Sequence, residues 1–274
     1  MPRLSPLVLT LPLSFTPLGL PAVVIAVENF EELAPGELHE SFSGTGFSTT
    51  QPWQAQMDIT EVVNPAVSFE NGGSRALRLT GNNNNAVARD LGVNLTETFF
   101  VSYQIRHESG DQNSNLFSAL WLGEGVYIGA PSFGVKVNQG PTAGNREDFM
   151  GRISGRQEAY GPSQLMTSTT STVHDYLLVA RVSKEEGSAS YNRLEFWVNP
   201  SPSDASTPQG ISTGSINVES IDRIGFRTVN FNDDSFLIDN LRIGTTFADV
   251  VIPEPTTMLL LPLAMAPFFS RQRA

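Results

Sequence analysis

Between residues 27 and 250 this chain alternates apolar and polar side chains one for one, again and again, and shows almost no three-to-four helical spacing. In Phe99-Phe100-Val101-Ser102-Tyr103-Gln104-Ile105-Arg106 the set Phe99, Val101, Tyr103 and Ile105 falls on one side of an extended strand. Apart from Phe100, the other side is Ser102, Gln104 and Arg106. Tyr176, Leu178, Ala180 and Val182 form a second such row, and Leu194, Phe196 and Val198 a third. Further strands are predicted at 76–79, 86–91, 115–122, 133–138, 149–154, 221–227 and 236–243, separated by Gly, Asn, Ser, Thr and Pro turn signals. Strands buried on one face and lacking crossover helices pair antiparallel. Roughly ten of them in one chain predict an all-β, two-sheet antiparallel sandwich. Within it, Gly81-Asn82-Asn83-Asn84-Asn85 reads as a polar hairpin tip, and Asn199 to Gly214 as a long surface connection.

The two ends break the pattern. Met1-Pro2-Arg3 is followed by an apolar run from Leu4 to Leu20 and by the small-residue site Val24-Ile25-Ala26. That is the layout of a secretory signal peptide cut by signal peptidase after Ala26. At the other end come Val251-Ile252-Pro253-Glu254-Pro255, an apolar stretch from Met258 to Phe269, and Ser270-Arg271-Gln272-Arg273-Ala274. This succession resembles the PEP-CTERM sorting signal of Gram-negative bacteria. The resemblance implies that an exosortase reads Pro253, Glu254 and Pro255, with Arg271 and Arg273 as the basic stop. The apolar stretch is shorter than the ~17–25 residues of a comfortable membrane span, and Pro262 and Pro267 each delete a helical hydrogen bond. A weak, transient transmembrane anchor follows. The expected division is therefore 1–26 signal peptide, 27–250 β-sandwich and 251–274 sorting tail, with the middle delivered to the cell envelope, cell surface or extracellular matrix.

Removing Arg3, Arg271, Arg273 and Glu254 from the 17 basic and 28 acidic residues leaves 14 and 27, a charge of −13 on the exported part. Such a surface argues against nucleic acid and anionic membranes as partners and is compatible with divalent cations and neutral polysaccharides. With no cysteine, the chain has no disulfide, thiolate metal site or cysteine nucleophile.

The opening Glu28-Asn29-Phe30-Glu31-Glu32-Leu33-Ala34-Pro35-Gly36-Glu37-Leu38, then Gly44-Thr45-Gly46-Phe47 and Trp53, and the closing Phe236-Leu237-Ile238-Asp239-Asn240-Leu241-Arg242-Ile243-Gly244-Thr245-Thr246-Phe247-Ala248-Asp249-Val250 look like those of concanavalin A-like (laminin-G-like) domains of secreted bacterial proteins. The resemblance implies a jelly roll whose first and last strands pair. That fold serves lectins, glycosidases and structural modules alike, so function must come from residues.

Retaining glycosidases need two carboxylates about 5–5.5 Å apart, and β-glucanase relatives supply them in a Glu-x-Asp-x-x-Glu strand pattern that this chain lacks. Glu185-Glu186 and Asp233-Asp234 read as solvated turns. His39, His107 and His174 lie in unrelated segments and read as exposed. Gly-x-Ser-x-Gly occurs once, at Gly210-Ile211-Ser212-Thr213-Gly214, within the stretch read as a surface connection and so not as a strand-to-helix nucleophile elbow. The expectation is a non-catalytic surface or matrix protein with affinity for extracellular polysaccharide; the alternative is a secreted glycoside hydrolase or lyase whose site is not recognisable. Trp53, Trp121, Tyr127 and Trp197 are candidates for stacking on sugar, with buried core as their ordinary role. Asp239 stands out. Period two places it with Leu237, Leu241 and Ile243, where an ionised carboxylate is costly unless paired or metal-bound. Jelly-roll carbohydrate-binding modules similar to this domain hold a structural calcium between first and last strands, through a Glu after the first-strand Phe and an Asp in the last strand. Glu31 and Asp239 match those positions, with backbone carbonyls completing the shell.

Overall fold

The structure is a computed structural model that describes residues 23–110, 116–123, 130–137, 147–153, 157–164, 173–214 and 216–251. The expected signal peptide up to residue 22, Tyr127, and the sorting residues Pro253, Glu254, Pro255, Arg271 and Arg273 lie outside the described residues.

The strands in chain order are β1 (Val24–Glu28), β2 (Gly36–Glu37), β3 (Gln54–Ala55), β4 (Thr60–Val63), β5 (Ala76–Thr80), β6 (Asn83–Leu95), β7 (Phe99–Ser109) and β8 (Phe117–Leu122). They continue with β9 (Ser132–Val137), β10 (Glu147–Ile153), β11 (Gln157–Gln164), β12 (Tyr176–Ser183), β13 (Arg193–Val198), β14 (Gly210–Thr213), β15 (Ile221–Val229) and β16 (Ser235–Gly244). A 3₁₀ turn at Pro202–Ser206 and the one-turn helix α1 (Phe247–Val250) are the helical elements among the described residues. One sheet runs β14-β13-β12-β7-β16-β5-β4-β2, with β1 added on β16; the other runs β11-β10-β9-β8-β15-β6-β3. Every pairing is antiparallel. Successive strands β5 to β8 alternate between the sheets, and the first strand pairs with the last, so the architecture is the predicted two-sheet jelly-roll sandwich.

The predicted inward rows are the core. Phe99, Val101, Tyr103 and Ile105 of β7, Tyr176, Leu178, Ala180 and Val182 of β12, and Leu194, Phe196 and Val198 of β13 all belong to one buried cluster. From the facing sheet it takes Phe133, Val135, Phe149, Ile224 and Phe226. Tyr103 bridges the layers: its ring lies 5.2 Å from Phe133 and from Phe226, and its hydroxyl donates to the Phe133 carbonyl at 3.0 Å. A buried phenol with a satisfied proton contributes apolar area without leaving a polar atom orphaned.

Several local expectations are corrected. The asparagine run is not a hairpin tip, because β5 and β6 belong to different sheets and Asn83 to Asn85 already pair within β6. Instead, Asn82 Oδ1 accepts the Phe231 N–H at 2.6 Å, tying the crossing to the loop before β16. Asn199 to Gly214 is not wholly irregular, since it holds the 3₁₀ turn and β14. His107 and Asp234 are neither exposed nor solvated: both are buried, with Nε2 and Oδ1 3.0 Å apart, and His107 meets Phe236 edge to face. Val251, assigned above to the sorting tail, is part of the fold: with Val250 and Phe247 it packs on Trp197 and Val179.

β1 also bears on where the chain is cut. Ala26 is 1% exposed and pairs with Ile243, and Val24 pairs with Gly244. A cut after Ala26 falls inside this strand and removes its first three residues. A chain beginning at Val27 should therefore be less stable than one beginning at Val23 by roughly 1–2 kcal/mol, the scale of a lost ladder bond plus buried Ala26. Thermal unfolding of the two proteins measures this, and coincident midpoints would show that β1 ahead of Val27 adds nothing.

Candidate functional site

Two polar features interrupt the apolar logic of the sandwich. One is where the first and last strands close. At the exit of β1, Glu28 turns inward and accepts the Phe30 N–H at 2.6 Å, the Ser43 hydroxyl at 2.5 Å and, more weakly, Trp53 Nε1 at 3.4 Å. Phe30 then adopts φ +59° and swings the chain so that Glu31 points at the turn before β5. There its carboxylate accepts the Arg75 N–H at 2.7 Å and the Ser74 hydroxyl at 3.0 Å.

Asp239 reaches the same turn from β16. Register slips between Asp239↔Gln104 and Arg242↔Ser102, and Asn240 at φ +52° absorbs the extra residue. This bulge flips the strand's parity. Asp239 therefore shares a face with Leu237, on the outer side, while Leu241 and Ile243 turn into the main core. The expectation that all four share one face is corrected for that reason. Asp239 is nonetheless fully buried, because residues 69–73 lie over it. Gly72 and Gly73 stand between the two carboxylates. A Cβ at Gly72 would lie 2.5 Å from Asp239 Oδ2, and one at Gly73 would lie 2.1 Å from Glu31 Oε1.

The structure thus brings Glu31 and Asp239 to opposite sides of one glycine pair. Asp239 Oδ1 accepts the Asn240 N–H at 2.6 Å, and Oδ2 is buried against the Gly72–Gly73 backbone. Burial, opposed by the Asn240 and Gly73 N–H groups and reinforced by the negative charges of Glu31 and Glu28, pushes its carboxyl from 3.8 up to about 7. Burial likewise pushes Glu28 up, against its hydrogen bonds. Glu31 and Glu28 add negative charge around Asp239, and carboxylate oxygen is the donor type a hard cation takes. Among the described residues no three acidic, His or Cys side chains converge as a ligand set. A calcium ion here would take Glu31, Asp239 and backbone carbonyls, tying β1 to β16.

The second feature lies on a sheet face. The outer face of the sheet containing β7 and β16 is covered by the chain itself. α1 packs on Trp197 and Val179, and Phe69 packs on Leu237 and Ala76. Arg106 clamps the latter cover, donating to Asp175 at 2.5 and 2.8 Å and to the Ser68 carbonyl at 3.1 Å, with its guanidinium 4.3 Å from the Phe69 ring. On the outer face of the other sheet a cleft of about 390 Å³ opens, lined by His39, Gln54, Asn85, Trp121 and Arg223 above Ala55 and Ala88. Register builds it: Gln54, Ala88, Gly225, Trp121 and Ser132 follow one another across β3, β6, β15, β8 and β9. Trp121 lies down over Gly225, where a Cβ would come within 2.2 Å of its Cζ2. Arg223 reaches Gln54 Oε1 and lies 3.1 Å from Asp90. His39 Nδ1 accepts the Ala55 N–H at 3.2 Å, which leaves the proton on Nε2.

Of the aromatic candidates, Trp53, Trp121 and Trp197 are all buried, so none offers a ring face to sugar. Trp53 lies under the Arg89 guanidinium at 5.7 Å and Trp197 under Phe247 at 5.0 Å. Trp121 alone borders the cleft, with its Nε1 buried and unpartnered. The polar lining was missed because His39, Gln54, Asn85 and Arg223 are ordinary surface residues in sequence. The one legible signal was the small outward row Ala88, Ala119, Gly134 and Gly225, which leaves room above the sheet.

No family profile matches the chain, and no curated protein does. Among solved structures it is similar to a carbohydrate esterase of the Shiga toxin-encoding bacteriophage phi24B, at 10% identity and TM-score 0.47 over 82% of this chain and 99% of that one. It is also similar to the carbohydrate recognition domain of Emp47p, at 17% identity and TM-score 0.41 over 77% and 94%. A third is the catalytic domain of a family 131 glycoside hydrolase from Coprinopsis cinerea, at 13% identity and TM-score 0.44 over 74% and 86%. At such values the likeness is one of strand layout and carries nothing about activity.

Proposed function

We propose that this is an exported, non-catalytic cell-surface or matrix protein that binds polysaccharide on the outer face of the sheet β11-β10-β9-β8-β15-β6-β3. The cleft beside Trp121 is the observation that carries the reading. Gln54, Asn85, His39 Nε2–H and Arg223 present planar donors and acceptors along an open groove, the group types that hydrogen-bond sugar hydroxyls. Among the described residues that line it none is a carboxylate, the group type that glycoside hydrolysis uses in pairs. His39 is held as a donor rather than a base. Export rests on the two sequence ends: signal peptidase acts at the first and an exosortase at Pro253-Glu254-Pro255.

Incubation of the purified protein with a panel of neutral and acidic polysaccharides tests the binding. Retention without new reducing ends is expected, and Gln54→Ala should reduce it. New reducing ends would overturn the non-catalytic part, and no retention of any polymer would overturn the reading. Mass spectrometry of protein from the native envelope should find no peptide covering Met258 to Arg273. An intact tail in fully exported material would leave a simple anchor instead of a processed signal.

A further inference from the structure

The two pieces of chain that cover the outer face of the sheet containing β7, β12 and β16 do not meet. Residues 69–73 lie over Asp239, with Phe69 on Leu237. The chain leaving β13, together with α1, lies over Trp197. Between these covers opens a cleft of about 230 Å³. Register sets its floor. Leu177 of β12 and Gln104 of β7 stand opposite each other, and both point outward because Tyr176, Leu178, Tyr103 and Ile105 fill the core. The first cover contributes Glu70 and Asn71, the second Asn199 and Pro200, and Asp175 completes the lining.

Local hydrogen bonds hold this lining in place and leave a defined set of groups for a ligand. Glu70 donates its N–H to Asp175 Oδ2 at 3.2 Å, and its carbonyl accepts from Gln104 Nε2 at 2.9 Å. The backbone is thereby pinned while the exposed Glu70 carboxylate enters no bond among the described residues. Asn199 Oδ1 accepts the Leu177 N–H at 2.7 Å, and the Asn199 N–H donates to the Leu177 carbonyl at 2.8 Å. That fixes the amide and leaves Nδ2 as its available donor. Asp175 accepts from Arg106 at 2.5 and 2.8 Å, which offsets its charge. What remains is one carboxylate, the carboxamides of Asn71 and Asn199, and an apolar patch of Leu177 and Pro200. Carboxamides and a carboxylate donate to and accept from neighbouring hydroxyls, and the apolar patch suits the C–H face of a sugar ring. The volume lies below the ~300–1,000 Å³ of a drug-sized pocket, which matches a single sugar unit. A calcium ion fits less well, because Glu70 is the one carboxylate of the lining not committed to an arginine.

We infer that this cleft is a second sugar-binding site, taking one neutral unit of a polysaccharide, and that the protein bridges two polysaccharide chains. This rests on the polysaccharide-binding role proposed above. The cleft beside Trp121 lies on the outer face of the opposite sheet, so the two sites face away from each other across the sandwich. Each then holds a different stretch of polymer, and one copy of the protein suffices for a cross-link. A network engaged through both sites also retains the protein more firmly than either site alone.

Beads coated with dextran, galactomannan or xyloglucan test this. They are loaded with the purified protein and then offered the same polymer in soluble, fluorescent form. Wild-type protein should stay on one of the three coatings and capture its soluble polymer at least tenfold above coated beads without protein. Asn71→Gly removes the carboxamide and keeps the φ of +57°, which glycine adopts freely. It should cut the capture at least tenfold, as should Glu70→Ala, while both variants remain on the beads and melt at the wild-type temperature. Retention without capture, or capture unchanged in both variants, overturns the second site and leaves the cleft beside Trp121 standing. A dimer with one site per copy would give the latter result. Loss of retention itself in both variants makes this the sole site and overturns the bridging. No retention on any of the three neutral coatings overturns the second site, while the wider polysaccharide panel above decides the first.

Discussion

Asp239→Asn should stabilise the cation-free protein at pH 8 and, in the same experiment, erase its response to calcium. The folded carboxyl titrates near 7 and the unfolded one near 3.8. Between those values the native state binds more protons than the unfolded state, so stability is greatest below the lower value and falls as pH rises through the window. Above pH 7 the buried, ionised Asp239 opposes folding by an amount on the order of 4 kcal/mol. Asn keeps the acceptor for the Asn240 N–H and carries no charge toward Glu31 and Glu28. The variant should therefore melt higher than wild type at pH 8 without calcium, with the gap closing toward pH 4. Calcium at a hundredfold excess over Kd should raise the wild-type stability by about 2.7 kcal/mol and leave the variant unmoved. Melting curves at several pH values, each with calcium and with chelator, read all of this. A wild-type midpoint indifferent to calcium would remove the metal. A variant that is less stable at pH 8 without cation would remove the buried charge as the cause.

Phe247→Ala should lower stability by about 3–5 kcal/mol, a shift on the order of 10 °C in a domain of this size. Phe247 is the pin of the small outer cluster, meeting Trp197 at 5.0 Å and Phe100 at 5.9 Å, with Val250 and Val251 closing around it. The Val250 carbonyl also accepts the buried Ser102 hydroxyl at 2.8 Å. Without the ring, Trp197 and Val179 lose their cover and the segment after β16 has little to hold it. Ending the chain at Thr246 should cost at least as much, whereas ending it at Val251 should cost nothing. Thermal or urea unfolding of the three proteins decides this. A stable protein ending at Thr246 would mean that α1 is ornamental. Removal of a tail at Pro253-Glu254-Pro255 spares the cluster, so processing there and stability of the fold are compatible.

The inward rows of β7, β12 and β13 were legible because alternation is a local property. A strand needs only its own residues to decide which side chains face the same way, and burial then chooses the apolar side. The pairing of Glu31 with Asp239 was legible only through resemblance. What each carboxylate experiences was not, since the bulge at Asn240 and the cover by Gly72 and Gly73 come from the meeting of β16, β7 and the turn before β5.

The same limit explains His107 and Asp234, which read as exposed and are buried against each other. It also explains the asparagine run, which looks like a turn and instead crosses from one sheet to the other. Sequence determined the class of fold and the core rows. Tertiary structure alone decided the strand order, the fate of the buried charges and the grouping of Gln54, Asn85, Trp121 and Arg223. Those residues are far apart along the chain, and contacts of that kind are selected by the packing of whole sheets. No local pattern of side chains carries that information.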